Sequence, residues 1–197
     1  MTDRSVIMEN KRKLILKVSE KLISKKGYSK TTIEEIAKKA NIGKGTFYLY
    51  FKNKNDLFFS IIKEEMENLM SNIKKEVEGI NSFFDKLKKG IEMYLDYYEK
   101  NYDFFKILLQ EKPLIRRRSF EEFWKEFFKK WESFIKGGFK EEIKKGRIKN
   151  IDLEDIIYSL IGLLHGNIHR WILNERKYSL LKKKDVIFEI FTEGIKK

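Results

Sequence analysis

The sequence predicts an all-α protein of about nine helices, arranged as a small N-terminal domain of three helices followed by a larger helical domain. Two observations support this fold class: the 197 residues include 1 Pro and 11 Gly, and the apolar residues recur at spacings of three and four, the period of an amphipathic helix. No segment shows the strict alternation of a half-buried strand. We expect the domains to span residues 1–55 and 56–197.

The first predicted helix covers residues 10–26 and ends at Gly27, because glycine closes helices in a left-handed conformation without strain. Its apolar side chains share one face: Leu14, Ile15, Val18, Leu22 and Ile23. The second helix opens at Thr32 and ends near Ala40. The Thr32 hydroxyl and the Glu35 carboxylate have the spacing of a capping box, in which each caps the other's backbone N–H.

The turn after the second helix contains Asn41, a residue that tolerates the left-handed conformation. A short third helix is predicted over residues 44–50, and the polar run at 52–55 marks a break. One apolar stripe over residues 56–77 predicts a fourth helix, long enough to act as a strut between two domains. Five further helices are predicted over residues 82–100, 102–111, 119–145, 152–173 and 184–195.

Positive charge is concentrated at the N-terminal end of the chain. Residues 1–55 hold 14 Lys and Arg against 5 Asp and Glu, a net charge of +9, and the remaining 142 residues carry +4. A general enrichment in lysine would raise the charge everywhere. The asymmetry therefore favours a polyanionic partner for the N-terminal domain.

Several classes of protein are excluded by composition. The chain has no cysteine, which rules out disulfide frameworks, thiol nucleophiles and cysteine-bearing metal sites. The first residues lack the apolar core of a signal peptide, and the longest uncharged stretch, residues 156–169, is shorter than the roughly 20 residues that cross a bilayer. We expect a cytoplasmic protein without a membrane partner.

Residues 32–51 have the pattern of a helix, a turn and a second helix that fits the major groove of DNA. Ile36 and Ala37 are predicted to pack between the two helices, Ile42 to plug the turn into the core, and Phe47 to anchor the second helix from its buried side. Helical spacing then directs the polar side chains of residues 44–50 outward, where hydroxyl and ammonium groups can reach phosphates and base edges.

This segment resembles the signature of the tetracycline-repressor (TetR) family, T-x-x-x-I-A, a small turn, then K-G-T-aromatic-Y-x-aromatic-F-x-x-K. The resemblance covers about residues 10–58 and implies a transcriptional regulator that binds double-stranded operator DNA, chiefly through the DNA backbone. It assigns DNA contacts to Thr32, Lys44, Gly45, Thr46, Tyr48, Tyr50 and Lys54. Three positions depart from the usual pattern: Asn41 replaces Gly, Gly43 replaces Ser, and Tyr50 replaces His.

Residues 83–139 contain 16 of the 28 aromatic side chains, enough to fill a helical core or to line an apolar cavity. The resemblance favours a cavity for a fairly large, hydrophobic small-molecule effector. The candidate lining residues are Tyr94, Tyr98, Phe105, Phe123, Trp124, Phe127 and Trp131, and the candidate partners of an acidic group are Arg116, Arg117 and Arg118. The Gly137-Gly138 pair is expected to loosen or kink its helix.

By the same resemblance, the last two helices form a homodimer. The predicted interface residues are Ile157, Leu160, Ile161, Leu164, Ile168, Trp171, Ile187, Ile190 and Phe191. Gly162 and Gly166, four residues apart, would allow close helix approach. A dimer is required because two recognition helices must meet half-sites about 34 Å apart, and an effector would change their separation by tilting the fourth helix.

His165 and His169 have a spacing that can chelate a metal, but Gly166 stands where zinc proteases carry their catalytic Glu and no third ligand is apparent. No phosphate loop or nucleophile elbow is present, so we expect neither a cofactor nor an enzyme. Two alternatives remain: a nucleoid protein that binds any duplex, and a helical ligand-binding protein or enzyme whose basic end serves solubility alone.

Within the family, residues 171–180 resemble members that sense fatty acyl-CoA. Multidrug-type or other hydrophobic effectors, or no effector at all, are equally compatible with the sequence. Repression is the family's usual mode, and nothing in the residues distinguishes it from activation.

Overall fold

The computed structural model describes residues 3–110 and 118–197, and within them the side chains of residues 5–107, 121–123 and 125–197. These residues form nine α-helices: α1 (Asp3–Lys26), α2 (Ile33–Lys39), α3 (Lys44–Tyr50), α4 (Lys54–Glu78), α5 (Phe83–Lys100), α6 (Tyr102–Gln110), α7 (Arg118–Lys144), α8 (Leu153–Leu173) and α9 (Lys184–Ile195). A 3-10 helix covers Leu180–Lys183. The described part of the chain has no strand, only an isolated bridge between Ile148 and Lys196, which confirms the all-α prediction.

Helix α1 begins at Asp3 rather than at residue 10, so the predicted start is wrong. No Gly or Pro interrupts residues 3–9, and an ion pair of 3.6 Å joins Glu9 and Lys13 one turn apart. The side chains of residues 5–10 are exposed, as is Leu14, which was assigned to the apolar face. The extension therefore has no buried stripe from which periodicity could predict it.

The predicted capping and turn geometry of the first helices is confirmed. The Thr32 hydroxyl accepts from the Glu35 backbone N–H at 3.2 Å, and the Glu35 carboxylate accepts from the Thr32 N–H at 3.2 Å, so a capping box opens α2. Gly27 closes α1 with a φ of 89°, and Asn41 has a φ of 52° in the turn between α2 and α3. The Ile42 N–H donates to the Ala37 carbonyl at 2.9 Å and closes that turn.

The chain divides into two compact units. The first unit comprises residues 1–67 and 103–121, and the second comprises residues 68–102 and 122–197. Helix α4 contributes residues to both, whereas the predicted boundary at residue 55 placed it wholly in the second. Because the apolar stripe of α4 is continuous, its first half supplies core residues such as Phe58 and Ile62 to the first unit.

The second unit is built from the second half of α4, from α5, α8, α9 and the 3-10 helix, and from α7 beyond residue 121. Leu95 and Trp171 are almost fully buried in its core. The Trp171 indole N–H donates to the Tyr178 carbonyl at 2.7 Å. Gly137 and Gly138 do not interrupt α7. Within the described residues, none of the helices is long and apolar enough to cross a lipid bilayer.

Candidate nucleic-acid interface and ligand cavity

Helix α3 is held against the first unit by Phe47, whose side chain is fully buried. The Phe47 ring lies 5.7 Å from the Phe51 ring and 5.5 Å from the Tyr48 ring, measured between centroids. Tyr48 is nevertheless 49% exposed and Leu49 is 77% exposed. Phe47 therefore lies on the anchored side of α3 and Tyr48 on the free side, as the sequence predicts, whereas Thr46 and Tyr50 are half-buried.

Two glutamates of α2 form ion pairs with neighbouring helices: an exposed pair with Lys44 of α3 and a half-buried pair with Lys26 of α1. The Lys44 ammonium pairs with Glu34 and the Lys26 ammonium pairs with Glu35. The hydrogen bond to Lys44 lowers the pKa of Glu34, and the same contact raises the pKa of Lys44. Because exposed pairs are weak in water, Lys44 can exchange Glu34 for a phosphate.

Lys54, which the resemblance assigns to DNA, is engaged within its own unit. Its ammonium donates to the backbone carbonyls of Tyr28 and Thr31, both at 2.9 Å, and lies 4.2 Å from the centre of the Tyr28 ring. The Tyr28 hydroxyl in turn donates to the Asn55 side chain. Lys54 thus ties the start of α4 to the loop that precedes α2, and this fixes the position of the helix-turn-helix.

The second unit contains a cavity of about 630 Å³ walled by α4, α5, α7 and α8. Of the predicted lining residues, Tyr94, Phe127 and Trp131 lie on its wall. Tyr98 is buried beside Tyr94, and Phe123 packs against Phe127 with 5.8 Å between ring centroids.

Phe105 belongs instead to the first unit, where it is buried with its ring centroid 5.6 Å from that of Phe104. The predicted residues Trp124, Arg116, Arg117 and Arg118 lie outside the described side chains.

One part of the cavity wall carries a cluster of neutral polar groups. The Tyr94 hydroxyl lies 2.8 Å from His165 Nε2 and 3.3 Å from the Tyr98 hydroxyl. Burial lowers the pKa of His165, raises the pKa of Tyr98 to about 12, and raises the pKa of Tyr94 well above its ordinary value. All three groups are therefore uncharged near neutral pH and can offer hydrogen bonds without charge.

Positive charge reaches the cavity from α4 and α5. Lys74, Lys75 and Lys86 lie along its wall, together with the carboxylate of Glu78. The Lys74 ammonium lies 5.1 Å from the centre of the Phe134 ring. The sequence-based prediction did not include these lysines, although Lys74 and Lys75 lie on the polar side of α4 and could have been predicted from it.

Most side chains predicted for the dimer interface are buried within their own unit. This holds for Ile157, Leu160, Leu164, Ile168, Trp171, Ile187 and Phe191. Ile161 is half-buried and lines the cavity, whereas Ile190 is 58% exposed. The apolar side chains that α8 and α9 leave exposed are Tyr158, Leu173, Val186 and Ile190.

The two histidines of α8 have separate surroundings. His165 bonds to Tyr94 and His169 is exposed. Among the described side chains, no three or more His, Asp or Glu converge in a group that could hold a metal ion.

Comparison with known proteins matches both parts of the chain. Residues 15–61 match the family described as bacterial regulatory proteins, tetR family, and residues 62–194 match the one described as YsiA-like protein, C-terminal region. The fatty acid metabolism regulator protein of Bacillus subtilis is 25% identical over 185 residues, which cover 92% of this chain and 93% of that protein.

Solved structures agree with this match. The crystal structure of the transcriptional regulator FadR from Bacillus subtilis in complex with stearoyl-CoA has a TM-score of 0.79 at 25% identity, covering 92% of this chain and 98% of that one. The fatty acid degradation regulator FadR from Bacillus halodurans gives a TM-score of 0.79 at 22% identity, covering 93% and 95%. These similarities confirm the fold.

Proposed function

The chain belongs to the TetR family of helix-turn-helix transcriptional regulators, and from this membership we propose that it is a dimeric repressor, released from a palindromic operator by an amphipathic anion. Proteins of this family are regulators and not enzymes, so the chain acts by binding. The N-terminal helix-turn-helix supplies the DNA-binding surface, and the second unit supplies the site for the effector.

The cavity is the observation that carries the effector assignment. Its volume of about 630 Å³ lies in the range of small-molecule sites, which are mostly apolar with a few placed polar groups. Apolar walls suit a hydrocarbon chain, and Lys74, Lys75 and Lys86 suit an anionic head group. A long-chain acyl-CoA combines both features, and the similarity to a regulator crystallised with stearoyl-CoA supports testing that compound first.

The exposed apolar side chains of α8 and α9 support the dimer. Tyr158, Leu173, Val186 and Ile190 are large, apolar and exposed on the helix pair that the family resemblance assigns to the interface. Burial of such side chains against a second copy is favourable. The buried residues of α8 and α9 pack within their own unit and so keep both helices in position for this contact.

Helix α4 has residues in both units and therefore connects the proposed effector site to the DNA-binding unit. Its first half supplies Leu57 and Phe58 to the core of the first unit, and its second half supplies Ile73 and Val77 to the cavity wall. An effector that binds one position of α4 more tightly than another shifts the population toward that position. The proposed release of DNA is such a shift and involves no chemical step.

The first experiment selects bound sequences from random duplex DNA with the purified chain at near-physiological salt. We expect a palindrome bound by a dimer. Lys44→Ala/Tyr48→Ala, which alters only exposed side chains of α3, should remain folded and bind the selected site at least tenfold more weakly. Salt-sensitive binding without an enriched sequence would instead support a nucleoid protein.

The second experiment titrates stearoyl-CoA into the protein bound to the selected duplex, with free coenzyme A as the ligand control. We expect stearoyl-CoA to release the DNA and coenzyme A to leave it bound. Lys75→Ala/Lys86→Ala should require a higher stearoyl-CoA concentration, whereas Lys140→Ala/Lys144→Ala, on the exposed face of α7, should respond like the wild type. Unchanged DNA binding at saturating stearoyl-CoA would contradict this choice of effector.

A further inference from the structure

The outward side of α3 is centred on two residues that carry no polar side chain. Successive residues of an α-helix are rotated by about 100°, so Gly45 and Leu49, two residues before and after Phe47, each lie within about 20° of the direction opposite to it. Phe47 is the buried anchor. Tyr48 and Thr46 lie on opposite flanks of this centre line.

Leu49 is 77% exposed and is the most exposed of the large hydrophobic side chains in the described part of the chain. A leucine in water gains nothing for the fold. Leu49 lies at the centre of the free face of α3, and residues 1–55 around it carry a net charge of +9. This combination points to a partner that is anionic overall and apolar where it contacts Leu49.

Gly45 gives a second, independent indication of close approach. A Cβ atom added there would meet no protein atom within 4 Å, and its φ is not in the left-handed region. Neither packing nor backbone conformation in the free chain therefore requires glycine, although glycine weakens a helix relative to alanine. Its missing side chain leaves space beside Leu49 for something outside the chain.

We infer that Leu49 is a sequence-reading residue that packs against the C5-methyl group of a thymine in each operator half-site. In the major groove only thymine presents a methyl group, and apolar side chains recognise it by contact. The centre line of α3 meets the base edges, and Tyr48 and Thr46 on its flanks meet the phosphates, which position the helix without reading sequence. This assignment rests on the proposed operator binding.

The test uses the duplex selected with the wild-type chain, in which each thymine is replaced in turn by uracil, symmetrically in both half-sites. Uracil pairs as thymine does but lacks the methyl group. Removal of one buried methyl group per half-site should weaken binding about fourfold per half-site, or about 16-fold for both. We expect one thymine position to show this loss, measured by fluorescence anisotropy at fixed salt.

The same duplexes are then titrated with two leucine variants. Leu49→Ala should bind the thymine and uracil duplexes with equal affinity at that position, because the side chain that contacts the methyl group is gone. Leu14→Ala, an exposed leucine on α1, should keep the full difference. Far-ultraviolet circular dichroism should show that both variants retain the helical fold.

The outcomes separate this inference from the function on which it rests. If no sequence is enriched, the operator proposal fails and the inference fails with it. If an operator is found but no uracil substitution weakens binding, or Leu49→Ala retains the thymine preference, the operator proposal stands and the role of Leu49 is overturned. A preference lost only in Leu49→Ala supports the assignment.

Discussion

In the first unit, the side chains of Phe47, Phe51 and Phe58 are almost fully buried, whereas in the second unit Phe127 and Trp131 lie on the wall of a cavity of about 630 Å³. Under the proposed function, the same residue types serve two kinds of binding. DNA binds to the outer surface of the first unit, and a closely packed core keeps that surface in shape. A small ligand binds inside the second unit and needs space that side chains leave empty.

The largest expected effect tests whether the first unit is as tightly held as this comparison requires. Lys54→Met removes the ammonium that donates to the Tyr28 and Thr31 carbonyls. We expect the free energy of unfolding to fall by about 2 to 4 kcal/mol, because two hydrogen bonds to a charged donor are lost. Urea denaturation followed by circular dichroism measures this change.

Lys52→Met is the matched control, because Lys52 is an exposed lysine two residues away. Its stability should stay within about 0.5 kcal/mol of the wild type. Equal stability of the two variants would contradict the structural role assigned to Lys54.

The second prediction concerns the cavity wall. A Cβ atom at Gly138 would lie 2.6 Å from the Phe83 ring, whereas one at Gly137 would meet nothing within 4 Å. Gly138→Ala should therefore destabilise the chain by about 1 to 3 kcal/mol through overpacking, and Gly137→Ala should stabilise it by about 0.5 to 1 kcal/mol. Thermal unfolding of the two variants measures this difference, and equal melting temperatures would contradict the prediction.

Phe83 also lines the cavity, so Gly138→Ala sharpens the comparison in a further way. A ring displaced by the new methyl group can move into the unfilled space, and stearoyl-CoA should then bind more weakly to this variant than to Gly137→Ala. Phe47 in the first unit is instead fully buried.

The sequence predicted the first unit in more detail than the second because its determinants are local. The capping box at Thr32, the left-handed Asn41 and the anchor Phe47 each depend on residues within a few positions along the chain. The resemblance to the TetR signature covers the same segment. Local rules failed at the N-terminus, where α1 continues to Asp3 through exposed residues that leave no apolar pattern.

The cavity could be predicted only in outline because its walls come from distant segments. Aromatic density favoured a site among residues 83–139, yet Phe105 lies in the first unit and the lining lysines come from α4 and α5. Helical periodicity likewise identified the apolar stripes of α8 and α9 but could not distinguish a stripe buried within the unit from one available to a second copy. Ile190 is exposed and Ile187, three residues earlier, is buried.

The third prediction follows from the buried polar cluster. Burial lowers the pKa of His165, so the folded chain binds fewer protons at this site than the unfolded chain as the pH falls through about 6.5. Stability should then decrease from pH 7.0 to 5.5, and part of that decrease should come from His165. His165→Gln should make the decrease smaller.

His169→Gln, at the exposed histidine four residues later, is the matched control for replacing a histidine of the same helix. The comparison uses the change in unfolding free energy between the two pH values, so any uniform destabilisation by either substitution cancels. Identical pH dependence in His165→Gln and the wild type would mean that this histidine is solvated in the folded chain, and that the cavity wall is more open to water than its geometry indicates.

The smallest expected effect on stability concerns Gly45, on the outward face of α3. It tests whether glycine at this position serves the fold or the approach of a partner. Gly45→Ala should raise the free energy of unfolding by about 0.5 to 1 kcal/mol, because alanine favours the helix and its methyl group meets no protein atom within 4 Å. Operator affinity should fall, since the methyl group occupies the space next to Leu49 where the duplex approaches. Gly137→Ala should give a similar gain in stability with unchanged operator affinity.

A Gly45→Ala variant that is more stable and binds the operator as tightly as the wild type would contradict this prediction. The outward face of α3 would then not approach DNA closely, and the comparison of the two units could not rest on this face.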